Sequence, residues 1–381
     1  MKVAMIGHKV VPSRRGGIEN VLTTLAPILT DLGVDVTCYN RSTEEIENEY
    51  VGTVVNKKYH NVTLKKAFTI KSRGLSAMIA SFTAAIAATF CNYDIIHFHA
   101  EGPCAAMWIP KMFGKRCVAT VHGLDWQREK WSGSFASKYI KFGEKVMVKC
   151  ADEIIVLSES AKAYFKETYN RDTVLIHNGI DKPTIKQAEK ITELYGLSKG
   201  DYICTVSRLT AEKGLHYLIE AYNKIRTDKK LVIAGDTSDT DEYVAYIKQM
   251  AGDNPNIIFT GFISGDILKE IYSNAYIVAV PSDIEGMSIS LLEALAYGNA
   301  VLCSDIPENT LVTEDKAINF KKSDVADLQN KLQNMCDDNL CVENLKHGVD
   351  DFILEKYNWN DVAVATRNLY EKVFTNKRKG N

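Results

Sequence analysis

Along the chain, unbroken apolar runs alternate with stretches whose apolar residues recur at steps of three and four. The runs read as strands buried on both faces, and the stretches between them as helices packed on those faces. Strands are predicted at residues 3–6, 34–39, 94–99, 116–121, 153–157 and 174–176. Between the first two, residues 18–32 place Val21, Leu25, Ile28, Leu29 and Leu32 on one helical face closed by Gly33. Residues 159–169 form another helix, with Ser158 as N-cap. The rhythm pauses at His177-Asn178-Gly179-Ile180-Asp181 and then restarts. Strands follow at 202–206, 231–234, 257–260, 275–280 and 301–303, with helices at 215–226, 242–250, 267–273 and 288–297. Residues 328–357 are mostly helical, and 359–374 form a final amphipathic helix. Two successive sets of strand–helix–strand units predict an α/β protein of two Rossmann-like parallel-sheet domains. The expected boundaries are 1–180 and 181–357.

Ligands of such sheets bind beyond the carboxyl ends of the strands. The distinctive loops here follow strands: Gly16-Gly17, His122-Gly123-Leu124-Asp125, Arg208 to Gly214, and Glu285-Gly286. They are expected to face one interdomain cleft. Residues 278–293 carry the most chemistry: Pro281 and Ser282 stop a strand, Asp283 to Gly286 form a tight turn, and a helix runs from Ser288 to Gly298. Glu285 then lies in a loop before a helix N-terminus and Glu293 inside the helix. Eight helical residues rise about 12 Å, the span from a transferred sugar to a nucleotide ribose. The N–H groups of the helix start suit a diphosphate between them. Arg208 and Lys213 could clamp that diphosphate as it leaves. Gly16-Gly17 lets backbone approach a ligand. His122, where a strand meets a glycine, could bond a sugar hydroxyl. Each feature has a plain alternative: two solvated glutamates, a loop charge pair, an ordinary turn, a packed surface histidine. His97 and His99 share one strand face and read as core or rim packing. Asp239-Thr240-Asp241 has the look of a metal-holding acid pair but sits where acids cap a helix, and the cap is favoured. Neither a dinucleotide fingerprint nor a P-loop occurs.

Composition narrows the class. The chain's 381 residues, 46% hydrophobic and 25% charged, suffice for two soluble cores. The net charge of −2 conceals an asymmetry: residues 1–178 hold 23 Lys/Arg against 17 Asp/Glu, and residues 179–381 hold 23 against 31. Residues 51–93 contain no acid at all but include Lys57, Lys58, Lys65, Lys66, Lys71 and Arg73. Lys138, Lys141, Lys145 and Lys149 recur at helical spacing. Each basic residue near an anionic leaflet is worth about 1 kcal/mol, so an anionic membrane surface is an expected partner and nucleic acid is not. Residues 75–90 are too short and too polar to span a bilayer and are expected to form a buried helix. Nine scattered cysteines without Cys-x-x-Cys predict free thiols in a reducing compartment. The N-terminal segment reads as a strand rather than a signal peptide.

Taken in order, these motifs resemble the family-4 glycosyltransferases of the GT-B fold over nearly the whole chain. Gly16-Gly17-Ile18-Glu19 is similar to the family's glycine-rich loop, and Asn178-Gly179-Ile180-Asp181 to its interdomain link. Ser207-Arg208-Leu209 with Glu212-Lys213-Gly214 resembles its diphosphate-binding stretch. Pro281-Ser282, Glu285 and Glu293 with seven residues between them, and Ala294 to Gly298 resemble its most specific signature. Trp359 and Leu369-Tyr370 resemble its C-terminal helix, here 358–376, which crosses back to the first domain. The first forty residues resemble the subgroup that builds bacterial capsule and cell-wall glycans, often with a rhamnosyl donor. Ser288 stands where the family commonly has Gly, Met287 where it has an aromatic, and Asn299-Ala300 replace a usual Pro.

The resemblance implies a retaining transferase without a metal or other cofactor, using a UDP- or dTDP-sugar. Arg208 and Lys213 would neutralise the diphosphate, and Glu293 would hold the ribose. Glu285 with Gly286, Met287 and Ser288 would hold the sugar, Gly16 and Gly17 would approach the donor, and His122 would line the reaction centre. A lipid-diphosphate-linked glycan acceptor and a cytoplasmic enzyme on the inner membrane face are expected. Alternatives are a nucleotide-sugar 2-epimerase on the same architecture and a two-lobed solute-binding protein.

Overall fold

The computed structural model describes residues 1–72, 74–124, 135–237 and 240–376. The chain forms two compact units: Met1–Gly179 with Tyr357–Asn381, and Ile180–Lys356.

Among the described residues the first unit holds nine strands: β1 (Lys2–Ile6), β2 (Asp35–Arg41), β3 (Val54–Val55), β4 (Lys58–Tyr59), β5 (Val62–Ala67), β6 (Ile95–His99), β7 (Arg116–Val121), β8 (Glu153–Val156) and β9 (Val174–Leu175). Their order is β3-β4-β5-β2-β1-β6-β7-β8-β9. All five residues of β6 are buried, as continuous apolar runs covered on both faces require. Parallel pairing runs from β5 to β9, but β3, β4 and β5 meet antiparallel, an edge that the sequence pattern does not announce. The turn between β3 and β4 has Asn56 and Lys57 both at positive φ, 51° and 60°. Two-residue hairpins of this kind are signalled by Asn-Gly or Asp-Gly, and Asn-Lys lacks the glycine.

The helix Leu75–Thr89 corrects the expectation of a buried helix. Its Ala80, Ala84, Ala85 and Ala88 are buried, whereas Leu75 and Ile86 remain exposed, as does Phe90 just beyond its end. One small-residue face is buried and the other carries large apolar residues without a cover. Among the described residues no helix is long and apolar enough to cross a membrane. The helix Trp359–Thr375 packs on Gly17–Asp31 within the first unit and buries Tyr370. All nine cysteines are free.

The second unit holds β10 (Tyr202–Val206), β11 (Lys230–Ala234), β12 (Ile257–Gly261), β13 (Ile277–Val280), β14 (Ala300–Ser304) and β15 (Ile318–Phe320), ordered β12-β11-β10-β13-β14-β15 and parallel throughout. The helix Leu215–Tyr222 stops short of the predicted residue 226 but buries Leu215, Leu218 and Ile219 completely. Each such side chain contributes about 1.5–3 kcal/mol. Residues 328–357 resolve into parts of three helices, Val325–Asp337, Asn339–Lys346 and Val349–Lys356. Asp338 separates the first two and caps the second by accepting from the Cys341 N–H at 3.0 Å. Each sheet reverses its winding once, between β1 and β6 in the first unit and between β10 and β13 in the second. Ligands of open α/β sheets bind at such switch points.

Candidate functional site

In the second unit the loops after β10 and β13 are neighbours because those strands pair, Ile203 beside Ile277 and Cys204 beside Val278. The loop after β10 passes through a short turn of 3-10 helix, Ala211–Lys213, and enters Leu215–Tyr222 through Gly214 at φ +65°. Backbone stitches it to the other loop: the Asp283 N–H donates to the Glu212 carbonyl at 2.8 Å. The Asp283 carboxylate accepts from the Tyr217 hydroxyl at 3.1 Å and from Ser323 Oγ at 2.8 Å. These contacts hold Lys213 Nζ 2.5 Å from Glu285 Oε1, with side chains only 13% and 8% exposed. Two residues expected to serve different parts of a donor thus neutralise each other. Arg208 Nη2 lies 3.9 Å from Oε1 of buried Glu212, so both candidate cations sit beside carboxylates.

The helix after β13 spans Ile289–Ala296, with Ser288 as its N-cap rather than its first helical residue. Ser288 Oγ accepts from the Leu291 N–H at 3.3 Å. Gly286 and Met287 belong to the turn ahead of the cap, and Met287 is buried. Glu285 is therefore outside the helix, and the 12 Å estimate does not hold. Only the four steps from Ile289 to Glu293 are helical, about 6 Å, and the turn sets the rest. Glu293, half-buried, accepts a hydrogen bond from the Tyr272 hydroxyl at 3.1 Å. The Tyr272 ring stacks on Tyr297 at 5.2 Å and 18°. Burial first, then the Glu293 charge, holds the Tyr272 phenol well above its ordinary pKa, so it remains a donor. The sequence marks Asp283 only as the start of a turn and carries no functional signal at Tyr272. Tyr272 looks like an ordinary apolar position of a helix, and only its tertiary neighbour gives it a task. Thr240 precedes the helix Asp241–Ala251, whose first turn carries Asp241 and Glu242, while Asp239 lies outside the described residues.

In the first unit, histidines collect where β1, β6 and β7 end. His97 Nδ1 is 2.6 Å from the Tyr370 hydroxyl and Nε2 is 2.8 Å from the Thr120 hydroxyl. His99 Nδ1 is 3.1 Å from Nε2 of half-buried His122, and His8 Nε2 is 3.0 Å from Asn40 Oδ1. Burial is the main cause that lowers His8 to about 4 and His97 to about 3, and it holds His99 well below its usual value. Among the described residues no three His, Cys, Asp or Glu side chains converge as metal ligands. Asp125, which follows His122 in the sequence motif, lies outside the described residues. Gly16 caps the helix Gly17–Asp31 in an extended conformation, φ −157°. A Cβ on Gly17 would meet nothing within 4 Å, so its backbone face is open to approach.

These buried histidines make a pH prediction. Their folded pKa values lie below the free value of 6.5, so the stability they confer is complete above about pH 6.5 and declines as the unfolded chain takes up protons below it. The decline should approach ~1.4 kcal/mol per pH unit for each histidine until its folded pKa is reached. Melting midpoints should fall steeply from pH 6.5 to 4 in the parent and less steeply in His97→Gln. An equal pH dependence in the two proteins would contradict this account.

Two α/β units with mainly parallel sheets, each with polar loops at the carboxyl ends beside its switch point, have the architecture of the GT-B fold. Residues 15–182 match the family described as Glycosyltransferase Family 4, and residues 187–347 match Glycosyl transferases group 1. Together the two matches span most of the chain and support a family-4 glycosyltransferase of GT-B fold. The chain is similar to an uncharacterized glycosyltransferase of Methanocaldococcus jannaschii, 29% identical over 302 residues, 74% of this chain and 75% of that one. Among solved structures, a sucrose-phosphate synthase from Thermosynechococcus elongatus superposes with a TM-score of 0.82 at 21% identity, covering 98% of this chain and 99% of that one. Anabaena Alr3699/HepE in complex with UDP-glucose gives 0.79 at 17% identity, over 98% and 100%. At these identities the solved structures speak for the fold.

Proposed function

We propose that this glycosyltransferase moves a sugar, with retention and without a metal, from a UDP- or dTDP-sugar to a lipid-diphosphate-linked glycan of a bacterial surface polysaccharide. A rhamnosyl donor is the first to test. The observation that carries the reading is the juxtaposition, at the second unit's switch point, of Lys213 with Glu285 and of Tyr272 with Glu293. The complex of Anabaena HepE with UDP-glucose supports a donor of this type on this fold. An incoming diphosphate competes with Glu285 for Lys213 and, with Arg208, takes the cationic charge that the leaving group needs. Glu285, released from its pair, then accepts hydroxyls of the sugar beside the turn Gly286 to Ser288. Glu293, steadied by Tyr272, takes the ribose diol. Gly16 and Gly17 admit the donor at the first unit's helix start, and His122 serves the acceptor hydroxyl. Among the described residues no carboxylate stands out as a nucleophile, and the hydroxyl attacks from the face the diphosphate leaves.

The enzyme works at the cytoplasmic membrane surface in this reading. Lys138, Lys141, Lys145 and Lys149 are all exposed on the helix Phe135–Cys150. The same helix is pressed inward at Gly143, where a Cβ would lie 2.1 Å from the Glu101 carbonyl oxygen. The lysines therefore form an outward stripe suited to an anionic leaflet.

Melting in the presence of UDP-, dTDP- and GDP-sugars, with excess chelator, tests the donor assignment. A bound donor at a hundredfold excess over Kd should add about 2.7 kcal/mol, and turnover should persist without divalent metal. Glu293→Ala should weaken binding of free nucleoside diphosphate, whereas Glu285→Ala should chiefly lower turnover. Equal losses of affinity in the two variants would undo the division of roles. Activity abolished by chelator and restored by magnesium would overturn the metal-free mechanism.

A further inference from the structure

We infer that the first unit carries an apolar ridge that inserts into the headgroup boundary of an anionic bilayer, beyond the electrostatic attraction of its lysines. The inference rests on the membrane-surface reading above and deepens it. The acid-free window 51–93 is also where large apolar side chains stay uncovered. Phe68 is 65% exposed and Phe90 70%, with Ile70, Leu75 and Ile86 exposed between them in the chain. The helix Leu75–Thr89 carries no charged residue, and its alanine face is spent on the core. At its end Phe90 meets Phe113 edge-on, with ring centroids 5.1 Å apart and Phe113 itself 60% exposed. Trp108 and Met112, on the adjoining helix Trp108–Met112, are exposed too.

Charge identifies the occupant. Lys57, Lys58, Lys65, Lys66 and Lys71 are exposed within the same window, which offers them no acid. The helix Trp108–Met112 touches the helix Phe135–Cys150, which brings the lysine stripe beside the helix that bears Met112, and Lys111 between them is paired with Asp152 at 2.6 Å. Large exposed apolar groups set in an acid-free stretch of exposed lysines suit a surface with anionic headgroups over hydrocarbon. A second copy in a two-fold dimer would bring the same lysines against each other without acids to pair them. Trp108, with an apolar ring and a polar N–H, is of the residue type that settles at the membrane interface.

Co-sedimentation with vesicles of phosphatidylglycerol and phosphatidylcholine, and of phosphatidylcholine alone, tests this at low and high salt. The parent should bind the anionic vesicles at low salt and keep a measurable fraction at high salt. Its tryptophan emission should be quenched by bromine-labelled acyl chains. Ile86→Ser combined with Phe90→Ser should lower the salt-resistant fraction at least about tenfold and relieve the quenching, with melting and donor binding as in the parent. Charge reversal of Lys138, Lys141, Lys145 and Lys149 should weaken low-salt binding and leave the quenching of the residual bound protein. Full vesicle binding by the serine variant at high salt overturns the ridge. So does a parent that ignores anionic vesicles, or that is a dimer in solution which the serine variant dissolves. Donor binding in the same proteins reports on the transferase reading separately, so either can fail alone.

Discussion

Lys213→Ala should lower turnover by about a hundred- to a thousandfold, the usual loss when a charged or hydrogen-bonding group that stabilises the developing negative charge is removed. It should also destabilise the protein by ~3–5 kcal/mol, the usual cost of removing one partner from a buried ion pair, because the buried Glu285 carboxylate loses its Lys213 partner. The two effects separate in a double variant. Lys213→Ala with Glu285→Ala removes both charges and should recover much of the stability while remaining inactive. Urea unfolding followed beside initial rates gives the comparison. A Lys213→Ala protein as stable as the parent would show that the pair is effectively solvated. A double variant no more stable than Lys213→Ala would place the loss elsewhere. Breaking the pair also has a cost for the donor, since the diphosphate must replace Glu285 as partner of Lys213. Free sugar without a diphosphate should therefore bind poorly, because nothing then draws Lys213 away from Glu285.

Gly214→Ala should be still more damaging to the fold of the second unit. Gly214 sits at φ +65°, which costs a residue with a Cβ about 1–2 kcal/mol. The added carbon would also lie 2.0 Å from the Pro281 carbonyl oxygen, a backbone atom. Relief requires moving the turn after β13 away from the loop after β10, the arrangement that sets Lys213 beside Glu285. We expect a loss above ~4 kcal/mol, in the exceptional range for single substitutions, together with loss of donor binding. Gly200→Ala is the control, since Gly200 also has a positive φ, +79°, but nothing within 4 Å of its would-be Cβ. It should cost only the conformational term. Similar unfolding midpoints for the two variants would mean that the two loops separate easily.

The strand-to-loop reading was legible because its signals are local. The apolar runs of β1, β6, β10 and β13 are short and continuous, and Ser158 caps its helix as expected, accepting from the Ala161 N–H at 3.3 Å. The edge hairpin was not legible because its two strands of two residues each are too short for any periodicity. The exposure of the helix Leu75–Thr89 was hidden for another reason: an uncharged sequence looks the same whether its outer face is covered or not. Spacing also misled in one place. Counting from Glu285 to Glu293 treats eight residues as helix, but Ser288 caps at the position where the helix was expected to be under way.

By itself the sequence determined most strands of the two sheets, though not β3, β4, β5 or β15, and with them where the polar loops fall and how basic and acidic residues divide between the halves. Those properties depend on neighbours in the chain, which periodicity, caps and composition report directly. Tertiary structure alone decided that β10 lies against β13, and hence that Lys213 meets Glu285 across 72 positions of sequence. It alone gave Glu293 its donor, Tyr272, and left the ridge from Phe68 to Phe90 uncovered. Strand order, partnership between distant side chains and exposure depend on which surfaces are buried together. No local pattern encodes that choice, because it is settled by the packing of the whole unit.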